Sequence, residues 1–172
     1  MSVSFSAVSD AITILHQPIP PHQVPSWRSQ QANIIQHPNN VSLHCQRLDR
    51  TARNPQAIQL CDSPQLCFNH STALQNNTRL ELMINIQDKT HCFQVVVINS
   101  QAQHDGFHIQ VGFESYNEAF RLRMIEQICH IETYREDVYQ QQGRQLCYEG
   151  AAQEWIEHYA STFPTLNGIN RE

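Results

Sequence analysis

The stretch Thr78-Arg-Leu-Glu-Leu-Met-Ile-Asn-Ile-Gln87 decides the fold, because its apolar side chains fall on alternate positions. Leu80, Leu82, Ile84 and Ile86 share one face while Arg79, Glu81, Asn85 and Gln87 share the other, the period of a strand buried on one side. Downstream, His91-Cys-Phe-Gln-Val-Val-Val-Ile-Asn99 is apolar on both faces around Val95 to Val97, which predicts a strand covered on both sides. The stretch Phe107-His-Ile-Gln-Val-Gly-Phe113 returns to alternation, with Phe107, Ile109, Val111 and Phe113 opposite His108, Gln110 and Gly112. Upstream, Val41, Leu43 and Cys45 alternate with Ser42, His44 and Gln46, and Ile58-Gln-Leu60 resumes the pattern. Together these segments predict a strand-rich barrel whose interior holds Leu80, Leu82, Ile84, Phe93, Val95, Ile109, Val111 and Phe113.

After the strands the period changes to that of a helix. Ser115-Tyr-Asn-Glu118 has the form of a capping box, Phe120, Met124, Ile128, Ile131, Tyr134 and Val138 recur at helical spacing, and Gly143 is a natural stop. A helix of ~25 residues would span ~38 Å. Arg135 interrupts the heptad that Met124, Ile128, Ile131 and Val138 would otherwise make, so the stripe reads as core more than as a self-association seam. A second helix over Ala151 to Ala160 turns Ala152, Trp155, Ile156, Tyr159 and Phe163 to one side and ends before Pro164. The two stripes predict a helical hairpin packed through Trp155.

The run Ala119-Phe-Arg-Leu-Arg-Met-Ile-Glu-Gln-Ile-Cys-His-Ile-Glu-Thr-Tyr-Arg135, together with the strand pair and Val111-Gly112-Phe113, resembles the second half of a PilZ domain and its closing helix. The resemblance covers roughly residues 41 to 163. It implies a mainly β fold with α, a PilZ-like antiparallel β-barrel over 41–114 followed by a helical hairpin over 115–164; residues 165–172 read by themselves as a frayed tail. It also implies a ligand, cyclic di-GMP. In that family two arginines at four-residue spacing, usually before the first strand, pair with the phosphates and stack on guanine, and a D/N-x-S-x-x-G turn contacts the base edge. The positions here that match are Arg47, Arg50, Arg53, Asp62 and Ser63. They depart from the pattern: the arginines are three residues apart and follow a strand. Cys61-Asp-Ser-Pro-Gln-Leu-Cys-Phe68 reads as the turn with one residue deleted, Cys61 standing in the acidic place or Asp62 one position late, and both glycines missing.

Composition narrows the function classes. The chain of 172 residues has 40% hydrophobic residues and a formal charge of -5, and Lys89 is its only lysine, so a nucleic-acid-binding surface is disfavoured. No apolar run approaches the ~20 residues of a membrane span, and the N-terminus lacks the pattern of a secretory signal, which predicts a cytoplasmic protein. Six cysteines at these spacings fit no common zinc pattern and read as free buried thiols, Cys45, Cys67 and Cys92 inside strands, so neither a metal nor a disulfide framework is expected. Residues 1–40, with Pro18, Pro20, Pro21, Pro25 and Pro38, read as a flexible arm whose apolar residues Ile12, Ile14, Leu15 and Trp27 could dock on the barrel or a partner. His130 and His158 sit in the two helices and could face each other. No catalytic motif is present: there is no Gly-rich phosphate loop and no G-x-S-x-G, so the chain reads as a non-enzyme with no bound cofactor. Two readings follow from the resemblance. One is a regulatory adaptor acting through an unidentified protein partner or its own copies by way of the long helix. The other is a cyclic di-GMP receptor using Arg47, Arg50, Arg53 and Ser63.

Overall fold

The computed structural model describes residues 33–48 and 57–165. Six strands form one sheet: β1 (Ile34–Gln36), β2 (Ser42–Arg47), β3 (Gln65–His70), β4 (Arg79–Ile86), β5 (Lys89–Gln103) and β6 (Gly106–Gly112). Two helices follow, α1 (Tyr116–Gln142) and α2 (Tyr148–Tyr159), and a 3-10 turn at Ala160–Thr162 closes the second. The fold is therefore mixed α/β, with the strands first and the helices after them.

The hydrogen-bonded order is β1-β3-β6-β5-β4-β2. It differs from the expected closed antiparallel barrel in two ways: the ladder is open, and β1 runs parallel to β3 while the other pairs are antiparallel. The two edges nevertheless belong to consecutive pieces of chain. In a flat sheet they would stand five spacings of ~4.8 Å, ~24 Å, apart. The six steps from Gln36 to Ser42 reach at most ~20 Å at ~3.3 Å each, and part of that length is folded back where the Val41 amide donates to the Pro38 carbonyl at 3.2 Å. The sheet is consequently curled.

The strand β1 corrects the expectation of a structureless arm over 1–40. Ile35 is only 1% exposed, and the ladder is extended by Gln65 N–H to Asn33 O at 3.0 Å and His37 N–H to Cys67 O at 2.8 Å. Proline 38 restrains the chain, but it lies after the strand, where its missing donor breaks no ladder bond. Conversely, Ile58-Gln-Leu60 forms no strand. Residues 1–32, with Ile12, Ile14, Leu15 and Trp27, and the tail from Leu166 onward lie outside the described residues.

The sheet interior matches the alternation. Leu80, Leu82, Ile84, Phe93, Val95, Ile109, Val111 and Phe113 are all buried, and Val96 is buried as well, so the middle strand is covered on both faces. A bulge between Val97 and Asn99 lets β5 pair first with β4 and then with β6. The β4–β5 hairpin turns at Gln87 and Asp88, both with positive φ (51° and 58°), the conformation that a two-residue hairpin twist favours. Leu82 is fully buried at the centre of this packing. Leu82→Ala is expected to lower unfolding free energy by about 2–5 kcal/mol, measured by chemical denaturation; a change within error would refute the closed packing.

Helix α1 ends as the sequence predicts, with Gly143 at φ 65° donating its N–H to Tyr139 O. Its start differs. Ser115 makes no side-chain cap bond, and Glu118 instead accepts from the Gln94 amide at 3.1 Å and pairs with Arg121, so the carboxylate ties the first turn to β5. Trp155 is buried between the helices, meeting Phe163 and Tyr159, as the hairpin reading requires. Ile156, placed on the same side by the sequence, is 50% exposed.

Candidate functional site

Three regions carry chemistry, and the first is the end of the sheet where the nucleotide positions fall. Arg47 is exposed at the end of edge strand β2, and the next residue, Leu48, donates its amide to Arg79 O at 3.1 Å. Arg50 and Arg53 lie outside the described residues. Asp62 is exposed. Ser63 is buried at 5% exposure: the Cys61 thiol donates to its Oγ at 3.4 Å, and the hydroxyl donates to Pro64 O at 3.5 Å. The hydroxyl is thus spent inside the turn. Arg47 and Asp62 share this end of the sheet but are separated by β4, β5 and β6.

The outer face between them is occupied. Arg79 grips Glu114 through Nε and Nη2 at 2.7 and 2.8 Å. That guanidinium holds the Glu114 carboxyl below its usual range against the opposing effect of burial, and the Gln59 amide adds to it. This clamp draws residues 57–61 over the sheet, fixed further by Cys61 N–H to Phe113 O at 2.8 Å. A Cβ on Gly112 would lie 2.8 Å from Ile98 Cδ1 and 3.4 Å from the Leu60 methyls, so the glycine makes room for Leu60.

The second region is the exposed face of α1. The chain from Tyr159 to Pro164 covers the apolar stripe of the helix from Tyr134 back to Arg123. Tyr134 meets Tyr159 at 5.9 Å, His130 meets Phe163 at 5.4 Å, and Arg123 Nε donates to Pro164 O at 2.7 Å. Beyond that point Tyr116, Phe120 and Met124, four residues apart and so in one row, stay 52%, 49% and 42% exposed. The sequence assigned Phe120 and Met124 to the core; the covering helix stops short of them.

The third region is polar and buried. Glu126 is 0% exposed and His37 5%, and Nδ1 of the histidine lies 2.8 Å from Glu126 Oε1 while Nε2 lies 3.1 Å from Val41 O. A carbonyl only accepts, so Nε2 carries a proton and Nδ1 shares another with the carboxylate. Burial works to lower the His37 pKa, but the Glu126 charge, its hydrogen bond and the Val41 carbonyl outweigh it, and the net shift is upward. One turn on, His130 is buried, and burial, then the neighbouring His37 charge, push it down to about 3, opposed by a bond to the Gln36 backbone. Thr133 reaches Asn40 Oδ1 at 2.9 Å. Glu126, His130 and Thr133 thus hold the β1–β2 connection from one helix face. His158 is not part of this group; it is exposed and meets Tyr159 edge-on.

Sequence reading missed His37 and Glu126. The available signal was Glu126 standing between Leu122 and Cys129 at helical spacing, a charge inside an apolar stripe. Beside this face an open groove of about 830 Å³ runs between Asn40, Ser42, Gln87, Lys89, Glu132 and Arg135. All six cysteines are free, with Cys92 and Cys147 exposed where burial was expected. Burial pushes Cys67 up to about 11. Among the described residues no three metal-ligating side chains gather, and no helix is long and apolar enough to cross a membrane. Comparison with family models, curated proteins and solved structures finds no match to this chain.

Proposed function

We propose that this chain is a non-enzymatic bacterial regulatory adaptor of the cytoplasm, built on a PilZ-like scaffold and working through protein contacts. The scaffold reading is supported by the curl of the sheet. Strands β1 and β2 run in the same direction and are joined by five residues, so they act as two halves of one kinked strand that meets β3 on one side and β4 on the other. A barrel of this kind is closed by the covalent chain rather than by a continuous ladder.

The observation that carries the adaptor reading is the row Tyr116, Phe120 and Met124, held on a helix anchored at both ends and left open to solvent. Apolar side chains clustered on a rigid helix are suited to a partner's apolar surface. The inward hydroxyl of Ser63 and the Leu60 side chain over Gly112 weigh against a base-binding turn.

Calorimetric titration with cyclic di-GMP is expected to give no saturable binding at micromolar concentration. Each hydrogen bond to a charged group that is missing withholds roughly 1.5–3 kcal/mol, and affinity falls tenfold per 1.4 kcal/mol. Submicromolar binding that persists in high salt and is abolished by Arg50→Ala or Ser63→Ala would restore the receptor reading through Arg47, Arg50, Arg53, Asp62 and Ser63. For the adaptor itself, Phe120→Ser with Met124→Ser is expected to keep the circular dichroism and abolish a stoichiometric complex recovered by cross-linking. A complex that survives both substitutions removes this face from the interface.

A further inference from the structure

We propose that the cluster of His37, Glu126 and His130 is a proton-operated latch, holding α1 on the β1–β2 connection at neutral pH and releasing that contact when a proton reaches His130. The geometry supports it directly. The chain turns between β1 and β2 at His37, and α1 holds that turn through Glu126 on the His37 ring, His130 on the Gln36 backbone and Thr133 on Asn40. These three contacts lie on one helix face at i, i+4 and i+7.

The charge balance is tight. One proton and one carboxylate are shared between His37 and Glu126, and Glu126 Oε2 has no hydrogen-bond partner among the described residues. A buried pair with one oxygen uncompensated contributes little net stability, so the contact is a poor store of energy and a good point of release. One further carboxylate acts nearby: Glu132, paired with Arg135, is felt by the Cys129 thiol. From α1 come Glu126 itself and the Cys129 thiol, and from β3 the Cys67 carbonyl takes the His37 amide proton. From the turn after α2, the Phe163 ring packs edge-on to His130, with the Arg123 guanidinium 5.3 Å from that ring. A second positive charge on His130 would therefore face the His37 charge with one carboxylate between them.

The signs of the two histidines differ. His37 has a raised folded pKa, so its contribution is fully present below the unfolded value of about 6.5 and is lost as pH rises through the folded value. His130 has a lowered one, so its contribution is present above about 6.5 and is lost as pH falls from there toward 3. Acidification from pH 7 to pH 5 thus works against His130 alone of the pair, by about tenfold in equilibrium constant per pH unit below 6.5. His108, also lowered by burial, adds a separate acid dependence.

The test is hydrogen exchange on the full chain at pH 7.5 and pH 5.5, corrected for intrinsic rates, in wild type and His130→Gln. In wild type, protection of residues 34–41 and 126–133 is expected to fall about tenfold at the lower pH relative to Leu80–Val97. In His130→Gln, which retains His108, that selective fall is expected to vanish. Equal loss throughout the sheet, or the same selective loss in His130→Gln, overturns the latch. Should the variant not fold, imidazole NMR of the wild type decides: a His130 ring that titrates near 6.5 with no change in protection at 34–41 also overturns it.

Discussion

A chain that begins at Asn39 is expected to lose cooperative thermal unfolding. The deletion removes Ile35, 1% exposed in the core, and closing such a cavity incompletely costs about 2–5 kcal/mol. It also removes His37 and leaves Glu126 at 0% exposure with no partner for Oε1, and breaking one side of a buried pair costs about 3–5 kcal/mol. The parallel ladder on β3 goes too, exposing the Leu66 and Cys67 edge. These losses share one packing region and do not simply add, but together they match the ~5–15 kcal/mol that holds an ordinary domain folded. Thermal circular dichroism decides the matter. A sharp transition with an unchanged midpoint would place β1 outside the folding unit.

That the sequence placed this strand in a flexible arm has a physical origin. Three residues are too few for alternation to register, and Ile34-Ile35-Gln36 sits among Gln, Asn and His with Pro38 two residues after it. The strand exists because β3 offers it a free edge, which is a tertiary fact. The interior of β4 and β6 was legible because a sheet buried on one face imposes period two on its own side chains, and Leu80, Leu82, Ile84, Ile109 and Val111 obey it. Helix α1 was legible in extent but not in facing. Its apolar stripe runs the whole length, and periodicity cannot tell that, among the described residues, the covering segment meets it only as far as Arg123, with Phe120 and Met124 about half exposed.

The site was less legible than the fold. Asp62 and Ser63 were read as neighbours with one purpose, yet one is exposed and the other turned inward, because the bend after Cys61 sends successive side chains to opposite sides. Glu126 and His37 lie 89 residues apart in sequence, so their pairing is invisible until the helix crosses the turn.

The second large effect concerns the helical hairpin, where Trp155→Ala is expected to destabilise the chain by about 3–5 kcal/mol. Trp155 is 1% exposed and meets Phe163 at 5.4 Å and Tyr159 at 6.2 Å, and Phe163 in turn packs on His130 of α1. Truncation therefore empties the space between α1, α2 and the turn that follows, and α2 has few other buried anchors beyond Ala151. At ~2–4 °C per kcal/mol for a domain of this size, the melting midpoint should fall by roughly 6–20 °C. Ile156→Ala is the comparison that gives the result meaning. The sequence placed both residues on one side, but Ile156 is 50% exposed, and a substitution at such a position should stay within about 0.5 kcal/mol. Equal losses from the two variants would mean that α2 is rotated on its axis, or that Ile156 is covered by a second molecule in solution. The two cases separate on dilution, because only the second makes the Ile156 effect depend on protein concentration.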